Sequence, residues 1–129
     1  MKKLLIFALS LFVFACGSKD AEMAEKLKEE AFKLHDEVMP VSMKLEDLKE
    51  QVMKKAEADT ALKAKALEIS SELDGAYNDM EVWMPKLGDA ADMQDVKEKI
   101  KALTEAKAEG EKIKEKTVAA KQKAEEFLK

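Results

Sequence analysis

His35 is the only histidine in the chain, and it opens the stretch His-Asp-Glu-Val-Met-Pro that ends at Pro40. Met39 lies four residues on, and Met80, Trp83, Met84 and Met93 recur further down the chain. Thioether sulfur is a soft ligand and imidazole suits copper, so these residues gathered in one place would have the chemistry of a Cu(I) or Ag(I) site. A His and Met pair between helices could also hold haem iron axially. There is no Cys-x-x-Cys-His for covalent haem, however, and a bundle with few large core residues leaves the macrocycle little room. Asp36, Glu37, Asp79 and Glu81 flank the same region, yet the Glu-x-x-His spacing of di-metal carboxylate sites is missing. The competing reading is packing. Methionine fills irregular core gaps, Trp83 is most simply core, and His35 falls beside the apolar seam. Pro40 inside a helix costs about 3 kcal/mol unless it marks a kink or break, so local shape at this point matters.

The elements that position these residues are helices. The chain is low in glycine, proline and aromatics and rich in Ala, Glu, Lys and Leu. Ala24, Leu27, Ala31, Leu34, Val38, Val41, Leu45, Leu48 and Val52 follow an alternating three-four spacing. Leu62, Ala66, Ile69, Leu73, Ala76, Met80, Trp83 and Leu87 repeat it, and a third stripe starts at Val96, Ile100 and Leu103, skips one residue at Ala106, and resumes through Gly110, Ile113, Thr117, Ala120 and Ala124 to Phe127. Such stripes are coiled-coil-like. Asp59 or Thr60 suits a cap between the first two runs, and Pro85, Gly88 and Asp89 suit a turn, with Asp92 capping the third. The spacing predicts helices near 20–57, 60–84 and 92–128, joined by short connections. The fold class is therefore all-α, an antiparallel three-helix, coiled-coil-like bundle over residues 23–129, preceded by a signal peptide helix. A hairpin closed at Asp59–Thr60 sets His35 level with Met84 and Met39 level with Met80. A second hairpin near Gly88 sets Met84 level with Met93. All the unusual residues are then expected at one end of the bundle.

The N-terminus speaks to location. Lys2 and Lys3 precede an uncharged apolar run that ends in Val-Phe-Ala-Cys at Cys16. The pattern is that of a secretory signal peptide, too short for a spanning helix. The ending resembles the lipobox of bacterial lipoproteins, with Val13 three residues before Cys16 and the small Ala15 just before it. The resemblance implies a signal peptide over 1–15, lipidation of Cys16 with diacylglycerol and palmitate-like chains, and a lipidated tether over 16–22. Two or three chains anchor firmly, at roughly 0.8 kcal/mol per buried CH2. Cys16 is the only cysteine, so no disulfide can form within the chain. The expected location is the bacterial envelope, at the outer membrane, on its periplasmic or surface side. Loss of Lys2 and Lys3 would take the formal net charge from −4 to −6, and every basic residue is lysine. Without arginine's planar fork, an acidic chain is a poor partner for nucleic acid.

His-Asp-Glu-Val-Met-Pro, followed far downstream by Met-Glu-Val-Trp-Met at Met80–Met84, resembles a group of small Bacteroidota lipoproteins. Some carry the label "viral A-type inclusion protein", which fits generic coiled-coil similarity. The group has no established activity, so the resemblance implies envelope location and a helical fold, and it directs attention to His35–Pro40 and Trp83–Met84. The chain shows no Ser-His-Asp arrangement, no glycine-rich phosphate loop and no zinc spacing. The expected function is a non-enzymatic structural or partner-binding module held at the membrane by its lipid. The alternative is a soft-metal binder using His35, Met39, Met80, Met84 and Met93. No cofactor is expected on the first reading and copper(I) on the second.

Overall fold

Strong helix formers occupy nearly every position between the capping aspartates, and the chain accordingly folds as helices. The computed structural model describes residues 14–129. Residues 1–13, most of the expected signal segment, and the side chain of Cys16 lie outside what is described. The order is α1 (Phe14–Ser42), α2 (Leu45–Ala58), a single 3-10 turn (Thr60–Leu62), α3 (Lys63–Asp92) and α4 (Val96–Leu128). There is no strand among the described residues, and none of their helices is long and apolar enough to cross a membrane.

Three boundaries differ from the sequence expectation. The first long helix is two helices, because Pro40 has no N–H and its ring crowds the carbonyl one turn back. The ladder tightens beyond it: the Met43 N–H donates to the Met39 carbonyl at 3.0 Å, but the Lys44 N–H reaches only to Val41, at 3.1 Å. Regular spacing resumes when the Leu48 N–H donates to the Lys44 carbonyl at 3.1 Å. The second long helix does not stop at residue 84. It runs through Pro85 and Gly88 to Asp92, because its apolar face continues past the proline, with Leu87, Ala90 and Ala91 all buried. Gly88 has no positive φ and so is no helix terminator. The turn instead spans Met93–Asp95, and the cap of α4 is Asp95, not Asp92. Asp95 Oδ1 accepts from the N–H groups of Lys97 and Glu98 at 3.0 and 2.9 Å, with Glu98 three residues on as in a capping box. At the other turn, Asp59 caps as its type suggests, accepting from the Ala61 N–H at 3.0 Å.

The three apolar stripes are the core. Ala31, Val38, Leu45 and Val52 are buried on the first, Ala66 through Leu87 on the second, and Leu103, Ala106, Gly110, Ile113, Thr117, Ala120 and Ala124 on the third. α4 packs along both α1 and α3, whereas α2 leans mainly on α3, and α1 approaches α3 over a much shorter stretch. Ion pairs record the register. Glu30 and Glu37 on α1 meet Lys107 and Lys114 on α4. On α3, Glu72, Asp79 and Lys86 meet Lys123, Lys116 and Glu109 in reverse order. The lysine hydrogen bonds hold the Glu30 and Glu37 carboxyls below the usual carboxylate value. These pairs are solvent-exposed, where a median pair adds only about 0–1 kcal/mol, so the apolar stripes carry the fold.

The core divides into two clusters. One surrounds Trp83 with Val38, Met80, Leu87 and Ile113; the other surrounds Ile69 and Leu73 with Leu45, Val52 and Ala120. Ser42 and Thr117 are both buried, and their hydroxyl oxygens have no hydrogen-bond partner among the described residues. The α1–α4 ion pairs set a register that places these two residues within a turn of one level, next to the α1–α2 break. An unpaired buried hydroxyl costs roughly 1–3 kcal/mol. Thr117→Val keeps the side-chain shape and discards that group. The variant is expected to melt several degrees higher, a gain of about 1 kcal/mol, as read by circular dichroism. A lower melting temperature would show instead that the hydroxyl is satisfied in solution.

Candidate functional site

The seam between α1 and α3 is where the two sequence motifs meet. Helical spacing puts Phe32, His35 and Met39 on the flank of α1 turned toward α3, with Met43 just past its end, and Tyr77, Met80 and Met84 on the answering flank of α3. Backbones are further apart here than along α4, and long side chains fill the difference.

Trp83 is the anchor. It is 0% exposed. Its Nε1–H donates to the Ala106 carbonyl on α4 at 2.8 Å. That carbonyl is the one a regular α-helix pairs with the Gly110 N–H, and a carbonyl oxygen has two lone pairs to share. The six-membered end of the indole lies over Gly110. A Cβ built there would stand 2.9 Å from Cη2 and closer still to Cζ2. The small residues of the third stripe are thus the socket for the only tryptophan in the chain.

His35 lies next to that indole. The ring centroids are 6.4 Å apart, with the planes tilted by 33°. Its Nδ1 lies 3.1 Å from Asp36 Oδ1, and the side chain is 28% exposed. Met39 and Met84 are half-buried and pack against the cluster that contains Trp83 and the fully buried Met80. Met39, Met80, Trp83 and Met84 thus share one core cluster, and His35 lies against its tryptophan. Pro40, itself exposed, adjoins the set and produces the break that follows.

Met93 is not part of it. Because α3 continues to Asp92, Met93 sits in the turn before α4, where it is 38% exposed and faces Ala21 and Ala24 across a surface depression. Nine residues of helix rise separate it from Met84, roughly 13 Å. For the same reason the site lies along the seam about two turns inside the end of α3, not at the end of the bundle.

Two features were missed by sequence reasoning. One is the Ala106–Gly110 socket, for which the signal was present: the smallest residues of the third stripe occur where a tryptophan on the second needs space. The other is an apolar ridge that leads along α1 to the break. Phe32 is 38% and Met43 64% exposed; Tyr77 packs against the second core cluster, and its hydroxyl is pushed above its usual value chiefly by the negative charge of Glu81. Among the described residues no group of three His, Cys, Asp or Glu side chains converges, so the available donors at the seam are imidazole and thioether. Comparison with protein-family models, with curated proteins and with solved structures finds no match.

Proposed function

We propose that the protein is a lipid-anchored, non-enzymatic envelope module of a bacterium. In this reading its up-down-up antiparallel bundle is held to the membrane through Cys16 and binds a partner protein on the α1–α3 seam. The observation that carries the binding role is the apolar ridge that runs from Phe32 to the α1–α2 break at Met43. There Phe32 stands exposed one turn before His35, and Met43 one turn after Met39, so the half-buried His35 and Met39 lie between them on one ridge. Clustered exposed apolar side chains mark interaction sites far more than scattered ones do, and methionine adapts to varied partners. The opposed numbering of the α3–α4 ion pairs supports the antiparallel arrangement. The anchor is supported by the Val-Phe-Ala-Cys ending of the apolar run and by the exposure of the turns just beyond it, Ala24 being the first buried residue after Gly17. The likeness to the Bacteroidota lipoproteins points the same way.

Two measurements test the two halves. Cys16→Ser is expected to abolish incorporation of labelled palmitate and to move the protein from the membrane to the soluble fraction; retained label would end the lipoprotein reading. A photoreactive residue at Met43 is expected to give a discrete protein adduct in intact cells, and the same residue at exposed Lys112 on α4 is expected to give none. No adduct from Met43, or equal yields from both positions, would remove the seam as the docking surface.

A further inference from the structure

We propose that the same seam binds one soft monovalent cation, Cu(I) or Ag(I), through His35 Nε2 and the thioether sulfurs of Met39 and Met84, against the face of Trp83.

The imidazole is set up for this. An N–H at Nδ1 donated to Asp36 Oδ1, 3.1 Å away, leaves the lone pair on Nε2. A carboxylate behind the imidazole is the usual outer partner of a ligating histidine, fixing the tautomer and raising ligand basicity. The ring is accessible, being 28% exposed, so a cation can reach it without unfolding the core. Met39 lies one turn along the same ridge of α1. Met84 follows Trp83 directly on α3, and both methionines sit half-buried against the Trp83 cluster. Trp83 supplies a π face 6.4 Å from the imidazole centroid, and tryptophan is the best cation–π acceptor.

The donor set selects the ion. One neutral imidazole and two neutral thioethers are soft, and they leave a monovalent charge intact beside Asp36; hard cations such as Mg2+ and Ca2+ take oxygen ligands. Met80 is fully buried and belongs to the core, whereas His35, Met39 and Met84 are partly exposed and so reachable by an ion from solvent. Met93, in the turn, is outside the site.

Trp83 makes the test direct, because it is the only tryptophan and its emission reports the seam. The protein is the full chain in detergent carrying Cys16→Ser, which removes a competing thiol. Silver nitrate is titrated in chloride-free buffer, and Cu(I) is titrated against a competing chelator. The expected result is saturable quenching of Trp83 at one ion per chain. His35→Ala, Met39→Leu and Met84→Leu should each weaken binding at least tenfold, while Met23→Leu, Met53→Leu and Met93→Leu leave it unchanged. Zn2+ at the same concentration should produce no change. Circular dichroism confirms that each variant is folded. Methionine methyl resonances provide a second readout, with Met39 and Met84 shifting on silver addition and Met93 fixed. Absence of saturable quenching, or wild-type affinity in His35→Ala or in the Met39→Leu/Met84→Leu double variant, would overturn the assignment.

Discussion

Trp83→Ala is expected to destabilise the protein by about 3–5 kcal/mol, the range for emptying a buried aromatic position. Small domains are stable by only about 5–15 kcal/mol, so this one change removes a large part of the total. The socket explains why the upper half of the range applies. The indole is wholly buried, and the residues under it on α4 are Ala106 and Gly110. Neither has a side chain long enough to move into the space, and helical backbones do not collapse toward each other without disturbing the ion-paired register on either side. The cost therefore includes a cavity that stays open. The Nε1–H bond to Ala106 is lost as well, at about 1 kcal/mol, although that carbonyl keeps its helical partner and is not orphaned. Urea unfolding followed by far-ultraviolet circular dichroism measures the effect. A loss below about 1 kcal/mol would mean that the bundle repacks across α3 and α4 and that Trp83 is not its anchor.

Helix content and the buried face of each helix were legible from spacing alone, because a stripe that repeats every three to four residues has one energetically acceptable orientation in water. The level of His35 against the Trp83–Met84 pair was legible for the same reason: Asp59 fixes the turn, and helical rise does the rest. The second turn was misplaced because Pro85 and Gly88 carry strong local signals for a helix end, and local signals lose to burial. Leu87, Ala90 and Ala91 bury on the far side of the proline, and that apolar area outweighs one missing hydrogen bond. Met93 was carried to the wrong place by the same error.

Pro40 and Pro85 show why the residue type did not settle the outcome. α3 packs on α4 both before and after Pro85, so its stripe needs no change of direction. The first stripe packs on α4 up to Ser42 and mainly on α3 beyond Leu45. Re-aiming it requires a break, and Pro40 lies where the break is needed. The redirection leaves Met43 exposed and strands the Ser42 hydroxyl between the two core clusters. None of this is visible in a heptad count, because the spacing continues without interruption across residues 38–45. The choice of partner helix is a tertiary matter that spacing does not encode.

Gly110→Ala is expected to destabilise by up to about 2 kcal/mol, against the sign of helix propensity. Glycine in a helix interior is worse than alanine by roughly 0.8–1 kcal/mol, so an alanine with free space gains that amount. Gly88→Ala is the control: nothing lies within 4 Å of its built Cβ, and the variant should gain about 0.5–1 kcal/mol. At Gly110 the added methyl meets the rigid end of a fused ring instead of a flexible chain end. The indole can retreat only by breaking its bond to Ala106 or by pressing on His35, and overpacking of this kind costs about 1–3 kcal/mol. Phenylalanine lacks the outer atoms of the indole, so Trp83→Phe should cost stability on its own but relieve the clash. In the double variant Gly110→Ala/Trp83→Phe the losses should then fall short of additive by at least 1 kcal/mol, a coupling of the size that touching residues show in double-mutant cycles. Additive losses would mean that α4 shifts as a body to admit the methyl. In that case the fit between Trp83 and Gly110 would follow from the packing of the stripes and would not set the spacing between α3 and α4.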